Sequence, residues 1–263
     1  MKRGHWQILL AAALLLLALG LTLYPVVSNW YIGRHQSRIQ TEYREVLEQT
    51  DSAEIESIRE SAVAYNKTIT PGAAEEAYSQ ASIRLAAEDY VNQLNVSGSG
   101  IMGYVEIPKI GVDLPIYHGT GADSLDRGTG HLLGSSLPVG GESTHTIITG
   151  HSGMASQKMF TDLEQLREGD IFYLHVLDET LAYEVREIHT VLPHDTTYLG
   201  IEPGEDLCTL VTCTPTGVNT HRLLVHGSRI PYVPTEETEA SAVPHEENTD
   251  SNWEKQYWLG VRL

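Results

Sequence analysis

The chain has 263 residues, enough for one sizeable domain with appendages or for two small ones. Its 17 Lys and Arg stand against 35 Asp and Glu, a formal net charge of −18, which argues against the basic footprint of a nucleic-acid binder. Two cysteines are too few for a secreted disulfide framework. Lys2 and Arg3 precede an apolar run from Ile8 to Val27, about 20 residues and so long enough to span a bilayer. Small residues fall inside the run and more leucine follows them, so a cleaved signal peptide is disfavoured. Trp6 at one end and Tyr24, Trp30 and Tyr31 at the other suit the two membrane interfaces, and the basic start stays inside. The expectation is an uncleaved signal anchor: residues 1–7 cytoplasmic, 8–27 in the lipid bilayer and the remainder outside the cell.

Residues 28–99 read as helical. Ile39, Tyr43, Val46 and Leu47 share one face, followed by Ile55, Ile58 and Ala62. Asp51 with Glu54 three residues on suggests a capping box at the second helix. Thr70 and Pro71 open another helix, running to about Tyr90. Few large apolar residues occur here, so these helices are expected to lie over the main domain. From 100 to 232 the pattern changes to short β-type runs: 103–107, 112–116, 144–149, 171–176, 181–185, and the strands carrying Cys213 and Arg222. One helical piece, Lys158 to Arg167, intervenes. Short strands at regular spacing predict a closed barrel or a sandwich. Residues 233–263 read as an acidic, disordered linker with an aromatic, membrane-proximal end around Trp253 to Leu263.

The run Asp206 to Cys213 reads as a strand ended by Pro215 and Gly217. Leu207, Thr209, Val211 and Cys213 share one face, and Cys208, Leu210 and Thr212 the other. The two thiols are then about 16 Å apart, too far for a disulfide, so Cys213 is free and Cys208 is a core residue. A return run, Arg222 to His226, makes a hairpin with Cys213 and Arg222 at the same end. A thiol beside a guanidinium is a candidate nucleophile with a candidate anion stabiliser.

Thr209-Leu-Val-Thr-Cys213 resembles the TLxTC signature of the sortases, cysteine transpeptidases of Gram-positive cell surfaces. His151 in Ile147-Ile-Thr-Gly-His151 and Arg222 in Asn219-Thr-His-Arg222 stand in the family's order. The segments 106–110, 114–119, 128–132, 137–141, 160–163 and 219–222 look like the pilin-polymerising class C enzymes. The resemblance implies a mainly β fold, a closed sortase-type barrel of about eight strands with an N-terminal helical lid. It also implies that Cys213 attacks an LPxTG-like signal, His151 protonates the leaving amine, Arg222 holds the oxyanion, and a pilin lysine accepts the acyl group. The class C lid motif, an Asp-Pro-aromatic whose acid meets the arginine and whose ring covers the cysteine, is matched only in part, by Glu88 (or Asp89) and Tyr90 and without the proline. Three other readings stand beside it: a sortase anchoring surface proteins to cell-wall amines, a thiol hydrolase using water, and a non-catalytic binding protein on the same barrel.

Other candidates carry less. Ser152 in Gly150-His-Ser-Gly153 lacks the second glycine of a nucleophile elbow, because position 154 is Met154. The twelve histidines include no HExxH and no paired-cysteine spacing, so no metal or cofactor is expected. His118, His131, His145, His175, His189, His194 and His226 read as strand or loop residues. His221 is a candidate assistant to Arg222.

Overall fold

The computed structural model of the protein describes residues 2–70, 72–79, 88–154 and 157–234. Helix α1 (Lys2–Gln49) carries the apolar run at its start. The side chains from Leu9 to Tyr24 are all exposed. Among the described residues no helix is both long and apolar enough to cross a membrane, which leaves the expected span at 8–27 without confirmation.

Asp51 opens α2 (Ser52–Asn66) by accepting the Ala53 N–H at 2.7 Å, an N-cap of the ordinary kind. Both helices rest on the β domain through the faces their periodicity marks. Tyr43, Ile55 and Ala62 are buried. The Tyr43 hydroxyl donates to Met102 O at 3.2 Å and accepts from Leu177 N at 3.1 Å. At the end of α2, Asn66 clamps Leu137, donating to its carbonyl and accepting from its N–H. In place of one helix from Thr70 to Tyr90, the described residues show α3 (Ala73–Ser79) and α4 (Glu88–Val91), with 80–87 lying outside them.

The strands are β1 (Ile101–Ile107), β2 (Val112–His118), β3 (Thr129–His131), β4 (Thr144–Thr149), β5 (Ile171–Val176), β6 (Glu179–Val191), β7 (Asp206–Thr214) and β8 (His221–Ile230). They close a barrel in the order β1-β2-β3-β4-β7-β8-β6-β5. The pairs β2–β3 and β4–β7 are parallel and the others antiparallel. Among the described residues, short elements such as β3, α5 (Ala122–Leu125) and a 3₁₀ turn at Pro108–Ile110 escaped the sequence reading, because three or four residues are too few to show a period. The helix expected from Lys158 to Arg167 is absent. Met159 takes a left-handed φ of 43°, which breaks a helix, and only Leu163–Gln165 forms a 3₁₀ turn.

Strand alternation sorts the side chains into two layers. Cys208 and Leu210 of β7, Leu223 and Val225 of β8, and Phe172 and Tyr183 belong to the main core. Gly227 is required here, since a Cβ would stand 2.6 Å from the Phe172 ring. On the opposite face of the same strands, Val211 and Leu224 pack with Ile147, Val191, Leu199 and, from α3, Ala74. The candidate site lies at the end of that second face.

Candidate functional site

Cys213 and Arg222 are direct partners in the β7–β8 ladder. The parallel β4–β7 ladder ends at Thr149 and Val211, and one more bond follows, Gly150 N to Val211 O at 3.0 Å. His151 comes next, opposite Cys213. Residues two apart on a strand face the same way, so Val211, Cys213, Leu224 and Arg222 share the outer face. Gly150 is fixed by crowding: a Cβ there would meet the Phe160 ring at 2.6 Å. The Phe160 N–H holds the His151 carbonyl at 2.9 Å. Histidine, thiol and guanidinium thus converge from three strand ends, two of them joined in the β7–β8 hairpin and the third remote in sequence.

All three side chains are half-buried, as a group that meets both protein and substrate must be. His151 Nε2 lies 3.9 Å from Asp126 Oδ1. Arg222 Nη1 donates to the carbonyls of His221 at 3.1 Å and Asn219 at 3.4 Å. His221 itself pairs with Thr214, and its Nδ1 meets Thr220 Oγ1 at 3.0 Å. The second thiol is of another kind. Cys208 is fully buried, and burial, aided by the charge of Asp206, pushes it well above the usual thiol range. Both cysteines are free. A thiol so protonated is no nucleophile.

The lid expectation for Tyr90 needs correction. Tyr90 is fully buried; its hydroxyl lies 2.9 Å from His131 Nδ1, donates to His131 O at 3.1 Å, and accepts from Gly119 N at 2.9 Å. A buried phenol needs such partners, and they hold the ring beside His131, not over the thiol. The Glu88 side chain lies outside the described residues. The aromatic group beside the site is Tyr78 of α3. Burial raises its pKa, the charge of Arg222 opposes that, and Cys213 adds to it. The guanidinium and the hydroxyl are close without meeting in hydrogen-bond geometry. The signal was present in sequence: Ala74 and Tyr78 are four apart in the helix that Thr70 and Pro71 announce.

Several histidines read as ordinary strand residues prove to be buried and bonded. His145 Nδ1 must donate to the Gly200 carbonyl, 2.7 Å away. Its Nε2 therefore accepts from Thr209 Oγ1 at 2.6 Å, and that oxygen accepts from His226 Nδ1 at 2.7 Å. Both imidazoles are held neutral by this chain. Burial lowers His226 to about 3 and, in the Tyr90 network, His131 to about 4. Both values lie below the unfolded histidine near 6.5, so between them and pH 6.5 the unfolded chain binds protons that the folded one refuses. Stability is complete above pH 6.5 and falls as the pH drops, by about 1.4 kcal/mol per group per pH unit. Thermal melts from pH 7.5 to 4.5 should show the midpoint descending below pH 6.5, with a shallower slope in His226→Gln. Melting points independent of pH would contradict the buried neutral pair. Among the described residues, no three His, Cys, Asp or Glu are arranged to hold a metal ion.

A closed mixed barrel with cysteine, histidine and arginine at one rim is the framework of a cysteine acyltransferase. The family model of the Sortase domain matches residues 105–230. The chain is similar to the solved sortase C of Streptococcus pneumoniae, a structure described in terms of catalysis and pilin substrate specificity. The two are 45% identical with a TM-score of 0.68, over 75% of this chain and 100% of that one. It is also similar to the pilus-related sortase C of Group B Streptococcus, at 41% identity and a TM-score of 0.67 over 73% and 97% of the two chains. A more distant relative is sortase A of Streptococcus agalactiae serotype III, 25% identical over 221 residues, or 83% of this chain and 82% of that protein. The chain belongs to the sortase family, the cysteine transpeptidases.

Proposed function

We propose that this protein is a pilin-polymerising sortase. The register pairing of Cys213 with Arg222, beside the strand that delivers His151, carries the reading. The Cys213 thiolate attacks the carbonyl carbon of the threonine in an LPxTG-like signal. Arg222 stabilises the resulting oxyanion, and His151 protonates the departing glycine amine, which leaves poorly as an anion. The thioacyl intermediate is then taken by a lysine ε-amine of another pilin, restoring the thiol and leaving an isopeptide bond. The likeness to two pilin-linked sortases of class C supports this acceptor. Incubating the enzyme with an LPxTG peptide and competing amines tests it: a lysine-bearing pilin should give the dominant adduct. Preference for a cell-wall peptide amine would move the protein to the anchoring sortases, and release of free acid alone would make it a hydrolase.

Two further assignments belong to the same reading. The apolar run 8–27 anchors the chain in the membrane with the barrel outside. Protease added to intact cells should therefore cut beyond Trp30 and leave Met1 on the mature protein; an amino terminus beginning after Ala13 or Ser28 would refute the anchor. Helix α3 acts as a cover over the thiol, with Tyr78 as its aromatic contact. Opening then limits access, and apparent affinity scales with the open fraction. Alkylation of Cys213 should run a few-fold to tenfold faster in Tyr78→Ala. Equal rates would show that no cover is present.

A further inference from the structure

We infer that Ser152, working with Thr212, is a positioning residue that sets the separation of His151 from Cys213. The inference rests on the reading of those two as the reacting pair. In a parallel ladder the spacing between strands is held near 4.8 Å by evenly placed backbone bonds. Here the ladder stops just short of the chemistry, at Gly150 N to Val211 O. His151 and Cys213 therefore lie beyond the last rung, where nothing in the backbone keeps the strands together.

Two hydroxyls extend the ladder across that gap. Thr212 Oγ1 donates back to Gly150 O at 2.8 Å, and Ser152 Oγ donates to Cys213 O at 2.6 Å. Each bond joins a residue flanking one reacting group to the opposite strand, so the pair brackets the histidine and the cysteine. Both hydroxyls are buried, Thr212 at 3% and Ser152 at 9% exposure, where water competes little for the carbonyls. The segment is fixed on its far side as well. Gly153 N donates to Thr161 Oγ1 at 3.0 Å, and a Cβ on Gly153 would stand 3.0 Å from the Thr216 side chain. Ser152 thus supplies the rung that the main chain cannot, and it does so without touching substrate.

The test is steady-state cleavage of a fluorogenic LPxTG peptide by the full chain, with Ser152→Ala and Ser152→Thr. In the alanine variant kcat should fall about tenfold, which corresponds to about 1.4 kcal/mol and is the size of one hydrogen bond. KM should stay within about twofold, because binding does not use this bond. Threonine keeps the hydroxyl and should restore most of the rate. A purely structural serine would lower the melting point and leave kcat of the folded enzyme in place. Adding Thr212→Val to Ser152→Ala should cost less than the product of the single losses, as two rungs of one clasp must. An alanine variant with the wild-type kcat overturns the inference. The functional reading fails separately, if Cys213→Ala or His151→Ala retains activity.

Discussion

Cys213→Ala is expected to abolish cleavage of an LPxTG-type peptide, while Cys208→Ala leaves turnover within a few-fold. The two thiols sit on neighbouring stretches of one strand, yet parity sends them to opposite sides of the barrel wall. Cys208 is sealed among Leu210, Val225 and the stacked rings of Phe172 and Tyr183. Its thiol is held protonated, and no path leads from it to a substrate. Truncating it should lower stability by about 1 kcal/mol, as a small core deletion does. Cys213 is half-buried on the outer face, paired with Arg222. A peptide-cleavage assay on both variants, with thermal melts to verify folding, decides the matter. An active Cys213 variant, or a folded but dead Cys208 variant, would remove the nucleophile assignment.

Arg222→Lys should lose about 10²–10³-fold in kcat, the usual cost of losing an oxyanion donor. The charge is kept by the substitution, so the expected loss comes from geometry. Arg222 is pinned through Nη1 to two carbonyls of its own turn, His221 O and Asn219 O. That leaves the rest of the planar fork presented in a fixed direction. An ammonium on a flexible stem offers neither the fork nor the anchorage. KM should change less than kcat, since the interaction strengthens as the oxyanion forms. Full activity in the lysine variant would reduce Arg222 to a point charge.

The strands that carry the site were legible because β7 is long enough to show both alternation and its stop: Pro215 and Gly217 end it, and Cys213 falls at the rim. Hairpin logic then placed Arg222 opposite. What periodicity could not supply was the parallel neighbour. β4 joins β7 across a large sequence gap, and His151 was picked out only by resemblance to a family motif. The misjudged pieces share a cause, which is that tertiary demand outweighed local pattern. Tyr90 sits at an aromatic position before the barrel and looks like a cover, but buried His131 and the Gly119 N–H claim its hydroxyl. Lys158 to Arg167 has helical spacing, yet Phe160 must reach Gly150 and Met159 turns left-handed. Ser152 was weighed only as a nucleophile, and a hydroxyl that serves the neighbouring strand has no sequence signature.

The strand order also governs when this enzyme becomes one. β8 joins both β7 and β6, so the last strand made is the one that sets Arg222 against Cys213. A chain still emerging, with β8 not yet available, presents a thiol with no guanidinium beside it. On the roles proposed above for Cys213 and Arg222, the reacting pair is complete only once synthesis has passed β8.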